Sequence, residues 1–248
     1  MHEGFDSSGL RLACHLARPA GFAKVPGLVL CHGFPRGPRG SVGAASTYSE
    51  LAERLAREAG WAVLAFNFRG TGASEGDFSP DGWLADQRRA VDVLEERSDV
   101  TGVFLAGSSA GGALGVCLAA EDPRVRGVVT LAAPATFSAW AANPLALAEM
   151  AKRAGVLRSP GYPPDPVVWA EPLLRIEPLP AAAKLAPRPL LVIHGDADEV
   201  VPVGDARSYA AAGGVSAELR VVPGAGHRLR HDPRAIALLI GWLTRQEA

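Results

Sequence analysis

Cysteine is scarce in this chain of 248 residues, which contains only Cys14, Cys31 and Cys117. Their number is odd and no two form a C-x-x-C pair, so the sequence excludes a disulfide framework and indicates a reducing compartment. We expect all three to pack as small buried hydrophobic side chains. Residues 1–6 contain neither a basic nor an apolar segment typical of a secretion signal, which also favours a cytoplasmic location.

Excess charge and long apolar runs are absent as well. Lysine and arginine together number 25 and aspartate and glutamate 26, so the formal net charge is -1 at pH 7. A nearly neutral chain argues against nucleic acid or an anionic membrane surface as an electrostatic partner. The longest apolar stretch, residues 127–150, is interrupted by Pro134, Asn143 and Pro144, so we expect no membrane-spanning helix.

Short apolar runs are abundant, and they alternate with helical patterns. With 48% hydrophobic residues, the chain can bury the core of one large α/β domain. Residues 10–16 alternate apolar and polar side chains, which predicts an antiparallel strand paired with a short strand near residues 2–5. Six later runs are predominantly apolar, as in parallel strands covered on both faces: residues 28–31, 62–68, 103–106, 125–131, 190–193 and 219–222. The pattern predicts a doubly wound, mostly parallel sheet of eight strands.

Helix starts are marked by capping residues. Ser79-Pro80 and Asp232-Pro233 each place a capping side chain before a first-turn proline, which predicts that helices begin there. Residues 47–50, Thr-Tyr-Ser-Glu, fit a capping box for a helix that ends at Gly60.

Residues 135–186 interrupt the regular alternation. This segment holds eight prolines as well as Trp140 and Trp169, and it lies between two predicted strands of the sheet. It is too long and too broken by proline for a single crossover helix. We therefore expect a small cap of short helices and loops over the carboxyl edge of the sheet, inserted into a single domain of residues 1–248.

The pentapeptide Gly107-Ser108-Ser109-Ala110-Gly111 joins a predicted strand to a predicted helix. Glycines two residues before and after Ser109 leave out the side chains that would hold strand and helix apart in a sharp turn. Such a turn would present the Ser109 hydroxyl above the carboxyl edge of the sheet, with the first amides of the helix facing any oxyanion formed there. The pattern alone also fits a glycine-rich turn between a core strand and a core helix.

Two other loops carry residues that could activate a serine. A serine hydroxyl becomes a nucleophile when a nearby base takes its proton and an acid orients that base. Residues 194–202 follow the run 190–193 and contain histidine and aspartate, and residues 223–227 follow the run 219–222 and end in His227. Because the carboxyl ends of parallel strands meet at one edge of a sheet, these loops and Ser109 can share a site.

The chain resembles the α/β-hydrolase superfamily over nearly its whole length. The resemblance rests on the order Ser109, Asp198, His227, on His32-Gly33-Phe34 after an early strand, and on the family loop H-G-x-x-D-x-x-V-P, matched by His194, Gly195, Asp198, Val201 and Pro202. It implies the α/β-hydrolase fold, Asp198 as the acid and His227 as the base. It also implies the amides of Phe34 and Ala110 as oxyanion donors. Pro35 cannot be such a donor because proline has no NH.

Each assignment has a competitor. Asp196 is the other candidate for the acid, but it occupies a variable position of the family loop. His231 is the other candidate for the base, but it precedes the helix start at Asp232-Pro233 and lacks a glycine-flanked loop. His32 and His194 belong to the family's structural His-Gly pairs, so we expect them to stabilise turns.

Metal and nucleotide sites are not indicated. His194, Asp196 and Asp198 are not joined by a second ligand-rich segment, so we expect no metal. Gly70-Thr71-Gly72 lacks the third glycine of a dinucleotide loop, and no P-loop lysine occurs. We therefore expect catalysis without a cofactor.

The resemblance implies a serine hydrolase that cleaves carboxylic esters of small to medium acyl or aryl groups. The layout is similar to that of small bacterial carboxylesterases, including cinnamoyl and feruloyl esterases, and the expected partner is a small-molecule ester. An aminopeptidase or amidase is an alternative because peptidase relatives share the Asp198 loop, and a non-catalytic binding protein is another. Substrate contacts are expected from the cap, although these side chains would also serve to pack the cap on the sheet: Phe137, Trp140, Leu145 and Trp169.

Overall fold

A sheet of eight strands forms the centre of the molecule. The computed structural model describes residues 3–21, 24–35 and 38–246, with residues 38–46 described as backbone only. The strands are β1 (Gly4–Ser7), β2 (Leu10–Ala17), β3 (Val25–Cys31), β4 (Ala62–Phe66), β5 (Val100–Ser108), β6 (Val125–Leu131), β7 (Leu190–Gly195) and β8 (Ala217–Val222). Their order in the sheet is β1-β2-β4-β3-β5-β6-β7-β8. β2 is antiparallel to β1 and β4, whereas β3 to β8 are mutually parallel. The predicted mostly parallel α/β sheet is confirmed.

Helices connect the strands. They are α1 (Pro38–Ala59), α2 (Pro80–Glu95), α3 (Ala110–Glu121), α4 (Ser138–Ala142), α5 (Pro144–Arg153), α6 (Pro166–Ala170), α7 (Pro178–Ala183), α8 (Val203–Gly213) and α9 (Pro233–Leu243). Ser79 and Asp232 cap α2 and α9 as predicted, because their side chains accept hydrogen bonds from the amides of Gly82 and Arg234. The capping box at residues 47–50 is wrong: α1 begins at Pro38, so Thr47 lies inside the helix.

The helices cover both faces of the sheet. Along β3, Leu28 and Leu30 pack into the core shared with α1 and α9, whereas Val29 and Cys31 pack into the core shared with α2, α3 and α8. This alternation follows from the two-residue period of a strand and explains why residues 28–31 are apolar throughout. Cys31 and Cys117 are buried as expected, and burial raises the pKa of each thiol to about 12. The expectation is wrong for Cys14, which is only partly buried because Leu12 and Ala17 are the only buried residues of β2.

The segment between β6 and β7 consists of short helices, and these differ in what they contact. α4, α5, α6 and a 3-10 helix at Glu171–Arg175 pack mainly on one another. α7 packs instead against α3 and α8, so it lies in the layer of helices that covers the sheet. Trp169 joins the first group to the sheet domain, because its indole NH donates to the carbonyl of Phe78 at 3.1 Å. Across residues 3–21, 24–35 and 38–246, no helix is long and apolar enough to cross a membrane.

Candidate active site

Ser109 lies in a strained turn between β5 and α3. Its backbone has φ 50° and ψ −128°, a region that residues other than glycine rarely adopt. A Cβ added to Gly107 would lie 2.5 Å from the nitrogen of Gly112, and one added to Gly111 would lie 2.2 Å from the carbonyl oxygen of His32. Both glycines are therefore required for the close approach of strand, helix and the neighbouring loop.

The loop after β3 passes directly beside Ser109. A Cβ on Gly33 would lie 2.8 Å from the Cβ of Ser109, so only glycine fits there. His32 holds this loop: its Nδ1–H donates to the carbonyl of Gly33 at 2.8 Å, and its Nε2 accepts from the amide of Phe68 at 3.3 Å. Burial lowers the pKa of His32 to about 4, so the ring is neutral at pH 7 and keeps both hydrogen bonds. His32 thus stabilises a turn, the role its His-Gly pair predicts.

Asp198 and His227 form a hydrogen-bonded pair. Oδ2 of Asp198 lies 2.8 Å from Nδ1 of His227, and Oδ1 accepts from the amides of Val200 and Val201 at 2.8 and 3.0 Å. The Asp198 side chain is fully buried, which acts to raise its pKa, but the hydrogen bonds from Val201, His227 and Val200 outweigh burial and lower it. An ionised carboxylate can only accept, so Nδ1 of His227 carries the proton and Nε2 is free to act as a base.

The competing residues lie apart from this pair. Asp196 is exposed, and its Oδ1 accepts from the amide of Gly224 at 2.6 Å instead of contacting His227. His231 is exposed at the end of a 3-10 helix, Leu229–His231. His194 is not a competitor but lies next to the pair: its Nε2–H donates to the carbonyl of Val201 at 2.9 Å, which closes the Asp198 loop, and Nε2 lies 3.4 Å from Oδ2 of Asp198. The described part of the chain contains no group of three or more His, Cys, Asp or Glu side chains that could hold a metal ion.

Ser109 and His227 line one small cavity. Its volume is about 90 Å³, and the described residues that line it are His32, Gly33, Phe34, Pro35, Tyr48, Ser108, Ser109, His227, Arg228 and Arg230. Ala110, the other predicted oxyanion donor, is the first residue of α3, so its NH has no partner within the helix. The structure therefore brings Ser109, His227 and Phe34 together, with Ala110 adjacent and Asp198 behind the histidine.

The four cap residues predicted to contact substrate do not line this cavity. Leu145 lies on the surface with 67% of its area exposed, because α5 turns this side chain away from the core. Phe137 and Trp169 are buried as packing residues, and Trp169 also borders a separate cavity of about 300 Å³ beside Tyr162. Trp140 comes nearest to the site through Phe34, whose ring centroid lies 5.2 Å from its own.

Sequence reasoning missed three polar residues of the cavity: Tyr48, Arg228 and Arg230. The two arginines lie one and three positions after His227, so proximity to the candidate base was the signal that could have found them. Tyr48 lies on α1, and no local pattern connects it with Ser109. Only the packing of α1 against the sheet brings its side chain to the cavity.

Comparison with known proteins agrees with this fold. Residues 26–154 match the family described as alpha/beta hydrolase fold. An uncharacterized protein of Mycobacterium tuberculosis is 31% identical over 215 residues, which cover 85% of this chain but only 65% of that protein. A monoacylglycerol lipase of Mycolicibacterium smegmatis is 27% identical over 242 residues, covering 83% of this chain and 82% of the lipase.

A solved structure shows the same fold. Est1E from Butyrivibrio proteoclasticus, determined with bound ferulic acid, superposes with a TM-score of 0.71 at 22% identity and covers 98% of this chain and 96% of its own. The family match spans more than half of the chain. The chain therefore belongs to the α/β-hydrolase fold family.

Proposed function

We propose that this protein is a serine hydrolase that cleaves carboxylic esters through Ser109, His227 and Asp198. One observation carries the proposal: the strained turn holds Ser109 at the same cavity as His227, whose Nδ1 is bound to the buried Asp198. A serine that shares a cavity with a histidine oriented by a carboxylate supports the proposal, because activation of a serine requires these three groups. A structural turn alone would not require a strained serine beside an oriented histidine.

The proposed reaction proceeds in two halves. Ser109 Oγ attacks the ester carbonyl carbon while Nε2 of His227 takes its proton, and the amides of Phe34 and Ala110 stabilise the oxyanion. His227 then gives the proton to the departing alcohol, which leaves an acyl group on Ser109. Water, deprotonated by His227, attacks this acyl group, and the proton returns to Ser109 as the carboxylic acid leaves. Asp198 holds the imidazole in orientation and stabilises its positive charge throughout.

Carboxylic esters are the favoured substrate class for two reasons. The relative from Mycolicibacterium smegmatis is named a monoacylglycerol lipase, and the similar fold of Est1E was determined with ferulic acid bound. The part of residues 135–186 that precedes α7 is proposed as the cap that limits the size of the acyl or aryl group. Of the four cap residues, Trp140 remains a proposed substrate contact, because its ring packs against Phe34 with the two ring centroids 5.2 Å apart.

A fluorophosphonate probe and p-nitrophenyl esters of short and long chain length test the proposal. We expect the probe to label Ser109, identified by peptide mapping, and Ser109→Ala to lose both labelling and ester turnover. Ser208→Ala, which removes an exposed serine on α8, is the matched control and keeps both. A wild-type protein that is neither labelled at Ser109 nor active on any ester contradicts the proposal. An ester and an anilide of the same acyl group separate esterase from amidase activity.

A further inference from the structure

The cavity at Ser109 is positively charged. Arg228 and Arg230 both line it, and none of its described lining residues carries a carboxylate. Arg228 is exposed, whereas Arg230 is partly buried with its guanidinium carbon 5.5 Å from the centre of the Tyr48 ring. Arg230 forms no ion pair with any residue that the structure describes. A cation without a counter-ion in a small cavity attracts an anion.

Two buried donors at this cavity lack acceptors. Nε of Arg230 is buried and has no hydrogen-bond partner among the described residues, and the same is true of the Tyr48 hydroxyl, on a side chain only 3% exposed. Ser108 and Arg230 lie beside that hydroxyl. Leaving buried donors unpaired costs free energy, so a bound group that accepts from both would be stabilised.

We propose that Arg230 and Tyr48 form a subsite for a carboxylate carried by the substrate. The inference rests on the proposed ester hydrolysis and specifies its substrate class as monoesters of short dicarboxylic acids. A guanidinium binds a planar carboxylate through paired NH groups, and a tyrosine hydroxyl adds a third donor. Because the cavity measures only about 90 Å³ and also contains Ser109, the carboxylate and the scissile carbonyl are a few bonds apart.

A matched pair of substrates isolates the charge. Monoethyl glutarate carries the carboxylate, and ethyl 4-carbamoylbutanoate replaces it with a neutral amide of nearly the same shape. We expect wild type to have a kcat/KM about 10-fold or more higher for the acid than for the amide, since a charge-assisted hydrogen bond is about twice as strong as a neutral one. Monoethyl malonate and monoethyl succinate then define the preferred distance between the two groups.

Variants assign the preference to named residues. Arg230→Gln is expected to lower kcat/KM for the acid by about 10- to 100-fold and to change turnover of the amide by less than about 3-fold. Arg230→Lys restores part of the loss, and Tyr48→Phe lowers only the acid reaction, several-fold. Arg207→Gln removes one positive charge from the exposed surface of α8 and keeps the preference. Equal effects of Arg230→Gln on both esters, or no preference in wild type, overturn the proposal.

Binding of glutarate provides a readout that does not need catalysis. We expect glutarate to raise the melting temperature of wild type and of Arg207→Gln, with a smaller rise at high salt, and to leave Arg230→Gln unchanged. If no ester is turned over and no probe labels Ser109, the proposed hydrolase activity is wrong. The melting temperatures with glutarate still test whether the carboxylate subsite exists. Equal glutarate binding by wild type and Arg230→Gln rules the subsite out.

Discussion

Nδ1 of His227 lies 2.8 Å from Oδ2 of Asp198, although the two residues are 29 positions apart in the chain. The contact forms because β7 and β8 are adjacent parallel strands, so the loops at their carboxyl ends meet. Asp196, two residues before Asp198, uses its carboxylate to hold the amide of Gly224 in the same loop as His227. One aspartate therefore orients the histidine side chain, while the other joins the two loops.

The different contacts of these aspartates predict different losses of activity. We expect Asp198→Asn to lower kcat for ester hydrolysis by about 10³- to 10⁴-fold, because the amide no longer fixes the proton on Nδ1 of His227. Asp196→Asn should retain kcat within about 10-fold, since the amide oxygen of asparagine can still accept from Gly224 and only the charge is lost. Steady-state kinetics on a p-nitrophenyl ester, with melting temperatures to verify folding, make the comparison. A larger loss for Asp196→Asn would show that the acid is misassigned.

Strain at Ser109 predicts a gain in stability when the serine is replaced by glycine. The φ of 50° is costly for any residue with a Cβ, so Ser109→Gly should be about 1 kcal/mol more stable than Ser109→Ala. Both variants lose the hydroxyl, so both should be inactive in ester hydrolysis. Urea denaturation measures the difference in the free energy of unfolding, and equal stability of the two variants would argue against strain at the turn.

Replacing one of two glycines of α3 by alanine should change the free energy of unfolding in opposite directions. A Cβ at Gly111 would lie 2.2 Å from the carbonyl oxygen of His32, whereas the nearest atom to a Cβ at Gly115 is 3.8 Å away, on Leu105. We expect Gly111→Ala to lower the free energy of unfolding by about 2 kcal/mol or more, because a backbone atom must move. Gly115→Ala should raise it by about 0.5–1 kcal/mol through helix propensity.

Denaturant melts and ester kinetics together test this pair. Gly111→Ala should also reduce kcat, since the displaced His32 loop carries the Phe34 amide, whereas Gly115→Ala should keep it. A Gly111→Ala protein with wild-type stability and activity would contradict the close contact between α3 and the loop.

The lowered pKa of His32 predicts that the protein loses stability on mild acidification. Its folded pKa of about 4 lies below the ordinary value of 6.5, so the unfolded chain binds the proton more tightly. Above about pH 6.5 this difference in pKa stabilises the folded state by about 3 kcal/mol. The stabilisation falls as the pH drops from 6.5 to 4 and is lost below that. Carboxylates whose pKa is lowered, such as Asp198, lose their contribution to stability only at lower pH.

A variant without the titrating ring isolates this effect. His32→Asn can still donate to the carbonyl of Gly33, so it should fold, with a free energy of unfolding that changes less between pH 7 and 4 than that of wild type. Urea denaturation at a series of pH values measures both slopes. Parallel curves for the two proteins would show that His32 does not titrate in this window.

Much of the fold could be predicted because its signals are local. Predominantly apolar runs indicated the parallel strands, and Ser79 and Asp232 marked helix starts through hydrogen bonds to their own first turns. The start of α1 was missed because Pro38 is followed by glycines, alanines and serines without an apolar period. The last helix of the proline-rich segment, α7, joined the main helix layer through contacts with α3 and α8 that no local pattern encodes.

By itself, the sequence determined the helices and strands, the serine turn and the sheet edge at which the candidate catalytic residues gather. These features depend on the spacing of apolar residues, on capping residues and on glycines, all of which are local in the sequence. The tertiary structure decided which side chains face the cavity. It brought Tyr48 from α1 beside Arg230, placed Leu145 on the surface and showed that Asp198, not Asp196, contacts His227. Such contacts depend on how distant elements pack, and that geometry is fixed only when both faces of the sheet are covered.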